Sequence, residues 1–317
     1  MHWIVNRIRE KAKANPKRIA FPECKDERVQ EAVRIIKEEN IAEPLVLSPQ
    51  TLEKEKQEEF ANQYYQRHSQ RHESFEEVRQ LMQDPLYYGA MMTKLGFADG
   101  FVAGAVYSTS KVARAAIRCL DSDPQINLAS GCFVMAFEHS SYGERGVLIF
   151  SDCAVIPFPN PEQLALIALA AAQFTRDVLE FEPRVAFLSF STKGSAKGRW
   201  IEKIREAVEI TRARDASFLV DGELQADAAL DADVASRKLP FSPVAGKANV
   251  LIFPSLEAGN ISYKLVQRLA KARALGPIIL GFTQPCSDLS RGCSVDDIID
   301  CAALTTIRAQ NKIKNKK

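Results

Sequence analysis

The chain has 317 residues, and at about 150 residues per domain that length predicts two domains. Its 46% hydrophobic content is enough to bury a core and excludes a wholly disordered chain. Lys and Arg number 42 against 40 Asp and Glu, a net charge of +2, so nothing global calls for nucleic acid or an anionic membrane, although a local basic pocket for a small phosphorylated ligand remains possible.

The N-terminus, MHWIVNRIREKAK, is amphipathic and charged, and it lacks the apolar run and cleavage site of a signal peptide. No stretch of 18 apolar residues exists, so no membrane span is expected. Arg18–Pro22 reads as a strand, and Arg28–Glu39 as a helix with Val29, Ala32, Val33, Ile35 and Ile36 on one face. Pro44–Leu47 is a strand. Gly100–Ala105 is a small-residue strand, followed by Ser108, Thr109 and Ser110 as N-cap residues of a helix to Leu120. Val147–Ile156 is a further strand. Asn160 and Pro161 open a helix to about Leu179, since Pro has no N–H to lose at a first helical position. Then come strand Arg184–Phe190, helix Arg199–Arg212, strand Phe218–Asp221 and helix Ala226–Ala235. Strand Val250–Phe253, helix Asn260–Ala274, strand Ile278–Phe282 and helix Ser294–Ala309 complete the series. Short strands interleaved with longer helices predict an α/β fold with a parallel sheet wrapped by helices, and ligands at the carboxyl ends of its strands. The tail Lys312–Lys317 reads as a solvated end.

The loops that leave those strands carry Gly or Ser just before a helix, where free N–H groups and the positive helix end favour an anion. Ordinary capping is the plainer reading of any one of them. STKGSAKG (Ser191–Gly198) is not a P-loop, and no GxGxxG or GxSxG is present, so neither a nicotinamide dinucleotide site nor a hydrolase nucleophile elbow is supported. The densest segment is Ser290–Asp297, SRGCSVDD. Ser294 and Asp297 have capping-box spacing, which accounts for both without catalysis. It does not account for Arg291, a cation at the positive end of a helix, unless an anion lies between them. Gly292 lets the backbone approach such a ligand. His68 and His72 lack the Glu of HExxH and a third ligand, so no metal site is expected. Seven cysteines, with no CxxC, read as reduced thiols of a cytoplasmic protein, and Cys293 as a partly buried one.

Several segments together resemble the phosphotransacetylases, the phosphate acetyltransferase and phosphate butyryltransferase family. They are Asp84–Ala105, FLSFSTKGSAKG at Phe187–Gly198, VDGELQADAA at Val220–Ala229, Ser242–Ala270 and DLSRGCSVDDI at Asp288–Ile298. The likeness runs from about Arg18 to Ile307. It implies reversible acetyl transfer between CoA and inorganic phosphate, with acetyl-CoA, acetyl phosphate and phosphate as partners and no tightly bound cofactor. It also implies a homodimer and two α/β/α domains like those of isocitrate and isopropylmalate dehydrogenases, with the active cleft between them. Residues 1–129 and 287–317 then form one domain, and 130–286 the other. By resemblance, Asp297 is the base for the CoA thiol, and Ser290 and Arg291 bind phosphate or the developing oxyanion. Arg114 forms the other side of the acyl-phosphate pocket, and Arg67 is a substrate-binding candidate beside His68. Lys193 and Lys197 would neighbour the cleft. The family's His, Asp and Pro around the Ser/Thr loop are here Tyr107, Lys111 and Ala115. A butyryl or propionyl transferase and a non-catalytic acyl-CoA-binding relative are the alternatives.

Overall fold

The computed structural model describes residues 2–68 and 73–314. In chain order the elements are α1 (Trp3–Lys13), β1 (Arg18–Phe21), α2 (Glu27–Glu38), β2 (Glu43–Val46), α3 (Lys54–Arg67), α4 (Phe75–Leu81), α5 (Pro85–Leu95), β3 (Gly100–Ala103) and α6 (Thr109–Cys119). Next are β4 (Ser130–Ala136), the single turn α7 (Tyr142–Arg145), β5 (Val147–Ser151), α8 (Pro161–Asp177), β6 (Arg184–Leu188), α9 (Arg199–Arg214) and β7 (Leu219–Leu224). The last are α10 (Ala226–Leu230), α11 (Ala232–Lys238), β8 (Val250–Ile252), α12 (Leu256–Leu269), β9 (Arg273–Leu280), β10 (Cys286–Asp288) and α13 (Val295–Lys314). The fold class is α/β. The chain divides into two compact units, Met1–Asn6 with Asp123–Gly281, and Arg7–Ser122 with Phe282–Lys317.

The second of these units carries the strand order β2-β1-β3-β10, all parallel. Asp26 starts α2 by accepting from the Arg28 and Val29 N–H groups, which leaves the apolar stripe Val29, Ala32 and Ile36 buried. Helix α13 lies against α2, β1 and β3. Its buried Ile298, Ile299, Ala302, Ala303 and Ile307 supply the apolar contact. The amphipathic N-terminus is helical from Trp3. Arg9 anchors it, donating to the fully buried Asp300 at 2.7 Å and to Asp296 at 2.8 Å on α13.

The other unit carries the order β9-β4-β5-β8-β6-β7. The expected parallel arrangement holds from β5 to β7, but β4 is antiparallel to both β5 and β9. The link from β4 to β5 is short and contains only the α7 turn. Parallel neighbours need a crossover of a dozen residues or more, so an antiparallel pair results. The helix expected to Ala274 ends at Leu269, and β9 begins at Arg273. Lys271 takes a left-handed φ of 52° and breaks the run. Pairing with β4 there overrides the helix-favouring sequence. The single helix expected over Ala226–Ala235 is two, because Asp231 accepts from the Asp233 and Val234 N–H groups and starts a new one.

Among the described residues, no helix is long and apolar enough to cross a membrane. Removing Arg9 would take from the buried Asp300 a charged partner that holds it at 2.7 Å. Arg9→Ala is therefore expected to cost about 3–5 kcal/mol in urea unfolding, the usual effect of breaking a buried pair from one side.

Candidate active site

The segment singled out in the sequence joins β10 to α13. Leu289 is buried, Ser290, Arg291 and Gly292 are exposed, and Cys293 turns back into the core. The turn is closed by Cys293 N–H donating to the Ser290 carbonyl at 2.8 Å, while the Gly292 N–H reaches Ser290 Oγ at 3.3 Å. A Cβ at Gly292 would meet nothing nearer than Ser290 Oγ at 3.9 Å, so the surface above the turn is open. The capping box expected of Ser294 and Asp297 is present. The Ser294 N–H donates to Asp297 Oδ2 at 2.9 Å, and the Asp297 N–H to Ser294 Oγ at 3.2 Å. These bonds fix the Asp297 carboxylate on the first turn of α13 through Oδ2, and Oδ1 has no partner among the described residues. The Arg291 guanidinium has no protein partner among the described residues.

Two residues not singled out for the site hold this loop in place. Arg28, second in α2, donates through Nη1 to the carbonyls of Arg291 and Cys293, both at 2.9 Å. Its Nη2 donates to the Ala105 carbonyl at 3.0 Å and to Asp26 at 2.8 Å. One guanidinium thus ties the β10–α13 loop to the β3–α6 loop. Glu23, 6% exposed, accepts from four consecutive N–H groups, those of Gly104, Ala105, Val106 and Tyr107, at 2.7–2.9 Å. A signal for Arg28 was available: it stands in the first turn of a helix, the same unfavourable placement that drew attention to Arg291. Glu23 had none, because its partners lie 81 to 84 positions away.

The β3–α6 loop leads into α6. The Ser108 hydroxyl makes no capping bond, contrary to expectation, and instead meets Ser110 Oγ at 3.1 Å. Arg114 is exposed on α6 with no partner among the described residues. The departures Tyr107 and Lys111 share one carboxylate: Tyr107 OH donates to Asp84 Oδ1 at 2.9 Å, and Lys111 Nζ lies 2.8 Å from Asp84 Oδ2. Burial, with Asp84 beside it, pushes the Tyr107 hydroxyl well above the ordinary range. Ala115 is buried. Burial raises the Cys293 thiol to about 11, so it is a neutral core group at physiological pH.

Arg67 sits at the other end of α6, roughly 15 Å away along an 11-residue helix. Its guanidinium donates to the Cys119 and Leu120 carbonyls at 2.8 Å and pairs with Asp121 at 3.2 Å. Beside it, His68 Nε2 is 2.7 Å from the Arg118 carbonyl. His72, the adjoining Ser69–Arg71 and the tail residues 315–317 lie outside the described residues. The structure therefore brings Ser290, Arg291 and Asp297 together and sets Arg67 apart from them.

The chain matches the family described as Phosphate acetyl/butaryl transferase over residues 3–306. The chain belongs to this family. It is 44% identical to a phosphate acetyltransferase of Thermoanaerobacterium thermosaccharolyticum, covering 97% of this chain and 99% of that one. It is 41% identical to one of Clostridium acetobutylicum, over 98% and 99%. A solved phosphotransacetylase from Streptococcus pyogenes superposes with a TM-score of 0.86 at 36% identity, covering 97% of this chain and 98% of that one.

The STKGSAKG loop of this phosphate acetyl/butaryl transferase family member is tied to the end of β7. Lys193 donates to Asp221 at 2.5 Å and to the Gly222 carbonyl at 2.8 Å. Burial would raise the Glu223 carboxyl, but Arg205, the Gly194 N–H and Ser191 outweigh it and hold it at about 2. Lys197 is exposed and has no side-chain partner among the described residues.

Because Arg28 links two loops through three carbonyls, Arg28→Ala is expected to ease local opening of the Ser290–Ser294 turn. Each bond to a charged group is worth about 1.5–3 kcal/mol, so amide exchange at Cys293 should accelerate by about tenfold or more in hydrogen-exchange measurements.

Proposed function

We propose that the protein is a phosphate acetyltransferase, catalysing acetyl-CoA + phosphate ⇌ acetyl phosphate + CoA. The observation that carries the reading is an exposed Arg291 guanidinium without a partner among the described residues, six positions before a carboxylate, Asp297, that the capping box fixes at the start of α13. Family membership supplies the substrates, CoA, acetyl phosphate and phosphate.

In the direction of acetyl-CoA synthesis, Asp297 takes the proton of the CoA thiol. A thiol is mostly protonated at neutral pH, so a placed base raises the reactive thiolate. The thiolate attacks the carbonyl carbon of acetyl phosphate, forming the C–S bond and a tetrahedral oxyanion. Ser290 and Arg291 meet that charge. Collapse breaks the bond from carbon to the phosphate oxygen, and the fork of Arg291 suits the departing phosphate. Free N–H groups at the start of α6, left without a side-chain cap, and Arg114 are assigned to the acyl-phosphate side. Arg67 stays in the proposal as a substrate-binding candidate, one that would have to exchange the α6 carbonyls for a CoA phosphate.

The reading includes a homodimer acting in the cytoplasm without a tightly bound cofactor. Ile261, Leu265 and Leu269, exposed at four-residue spacing on α12, form a face that a second copy would cover. None of the described cysteines is in a disulfide, in keeping with a reducing compartment. Propionyl and butyryl phosphates are the alternative substrates, distinguished by only about 1–3 kcal/mol per methylene.

The test is CoA-dependent consumption of acetyl phosphate by the purified protein. Arg291→Ala should lower kcat by about 10²-fold or more, the scale for removing a charge-stabilising donor. Asp297→Asn can still accept the Ser294 N–H, so it should lose about 10²–10⁴-fold in rate with little change in Tm. Full activity in either variant would overturn the assigned roles.

A further inference from the structure

Asp288 ends β10, in register with Ala103 of β3 and two residues before Ser290. It is 0% exposed, and neither of its carboxylate oxygens has a hydrogen-bond partner. The Thr109 hydroxyl and the Leu289 N–H face it without reaching hydrogen-bond geometry. Gly104, at φ 118°, is pressed directly against it. A Cβ there would stand 2.2 Å from Asp288 Oδ1 and 2.5 Å from the Leu289 nitrogen, so only glycine fits. Gly104 is itself fixed by its N–H bond to Glu23. A continuous packed path therefore runs from Glu23 through Gly104 and Asp288 to the turn that carries Ser290 and Arg291. A buried carboxylate whose facing donors fall short of hydrogen-bond geometry is costly, and a side chain kept in that condition calls for a reason.

We propose that Asp288 is a positioning residue of the transfer reaction: a buried carboxyl wedged under the β10–α13 loop, it sets where Ser290 and Arg291 stand. This rests on the acetyltransferase reading. The groups that face Asp288 agree with an uncharged form. Glu23 approaches from the β1–α2 loop, as a carboxylate held by four N–H donors. Thr109 faces it from α6, and the Cys301 thiol of α13 lies 4.0 Å from its carbonyl. On its own strand, burial raises the Cys286 thiol to about 12, so that group is neutral too. Strand β3 contributes no titratable group. Burial, with the Glu23 charge added, raises the Asp288 carboxyl to about 7. Below that pH the wedge is neutral and compact. Above it a carboxylate forms beside Glu23, is repelled, and draws toward donors, which displaces the Ser290–Arg291 turn.

The experiment compares kcat/KM for acetyl phosphate, and Tm, from pH 5.5 to 8.5 in the wild type, Asp288→Asn and Glu23→Gln. Substrate ionisations are common to all three and cancel in the ratios. Asparagine mimics the uncharged carboxyl. Asp288→Asn should therefore stay within about threefold of the wild type at pH 6 and exceed it by about tenfold at pH 8. A carboxyl raised in the folded state loses stability from its unfolded value of 3.8 up to about 7. The Tm advantage of Asp288→Asn should accordingly grow across the lower part of the range and level off above about pH 7. Should Asp288→Asn fail to fold, Glu23→Gln decides: removing the facing charge eases ionisation of Asp288 and should move the alkaline fall to lower pH. Superimposable profiles of wild type and Asp288→Asn, loss of activity at every pH with Tm intact, or an alkaline fall unmoved by Glu23→Gln would each overturn the proposal. A wild type with no acetyl transfer at any pH would instead overturn the acetyltransferase reading, and the Tm difference would still decide the state of the carboxyl.

Discussion

The site depends on one double brace just beyond β1. Glu23 gathers the four N–H groups of residues 104–107, and five positions later Arg28 gathers the carbonyls of Ala105, Arg291 and Cys293. Bonds to charged groups are worth about 1.5–3 kcal/mol each, enough together to fix two loops that otherwise share only short strand pairings. The brace also constrains the chemistry. Four consecutive N–H groups form a ready anion nest, but an internal carboxylate fills it. In the proposed reaction the charge of an acyl phosphate is then left to Arg291 and to the start of α6.

The altered positions of this chain make sense in the same frame. At the positions where the family resemblance implies His and Asp, Tyr107 and Lys111 both turn to Asp84, which also caps α5. Lys111 additionally lies 4.3 Å from the Tyr107 ring centroid. The substitution replaces one polar pair with another that is satisfied locally. It leaves Arg114, in the second turn of α6, without a partner among the described residues.

What could be read from the sequence was what spacing encodes. Ser294 and Asp297 stand three apart, so their capping box was legible, and Arg291 stood out because a cation there opposes the helix dipole. Helices α6, α8 and α9 announced their starts through Ser, Asn-Pro and Gly residues. Glu23 and Asp288 were illegible as site residues, because their neighbours are brought in by strand pairing rather than by local period. Strand β10 is three residues of Cys, Ser and Asp, without a hydrophobic run to reveal it. The antiparallel β4 was hidden by uniform burial, which gives no alternation to detect. In β9, Arg273–Leu275 continues a helix-favouring run, and only its pairing with β4 makes it a strand.

The central claim is direct attack of the CoA thiolate on acetyl phosphate, with the protein supplying a base and a charge clamp but no covalent carrier. Cys293, the thiol nearest the clamp, is neutral and packed inside, which suits a structural part. The most direct measurement is transfer of labelled inorganic phosphate into acetyl phosphate by the purified protein, with and without CoA. Direct attack predicts incorporation of label only when CoA is present, because phosphate leaves only as the thioester forms. Label incorporated at a comparable rate without CoA would require an acetyl-enzyme intermediate and would contradict the account.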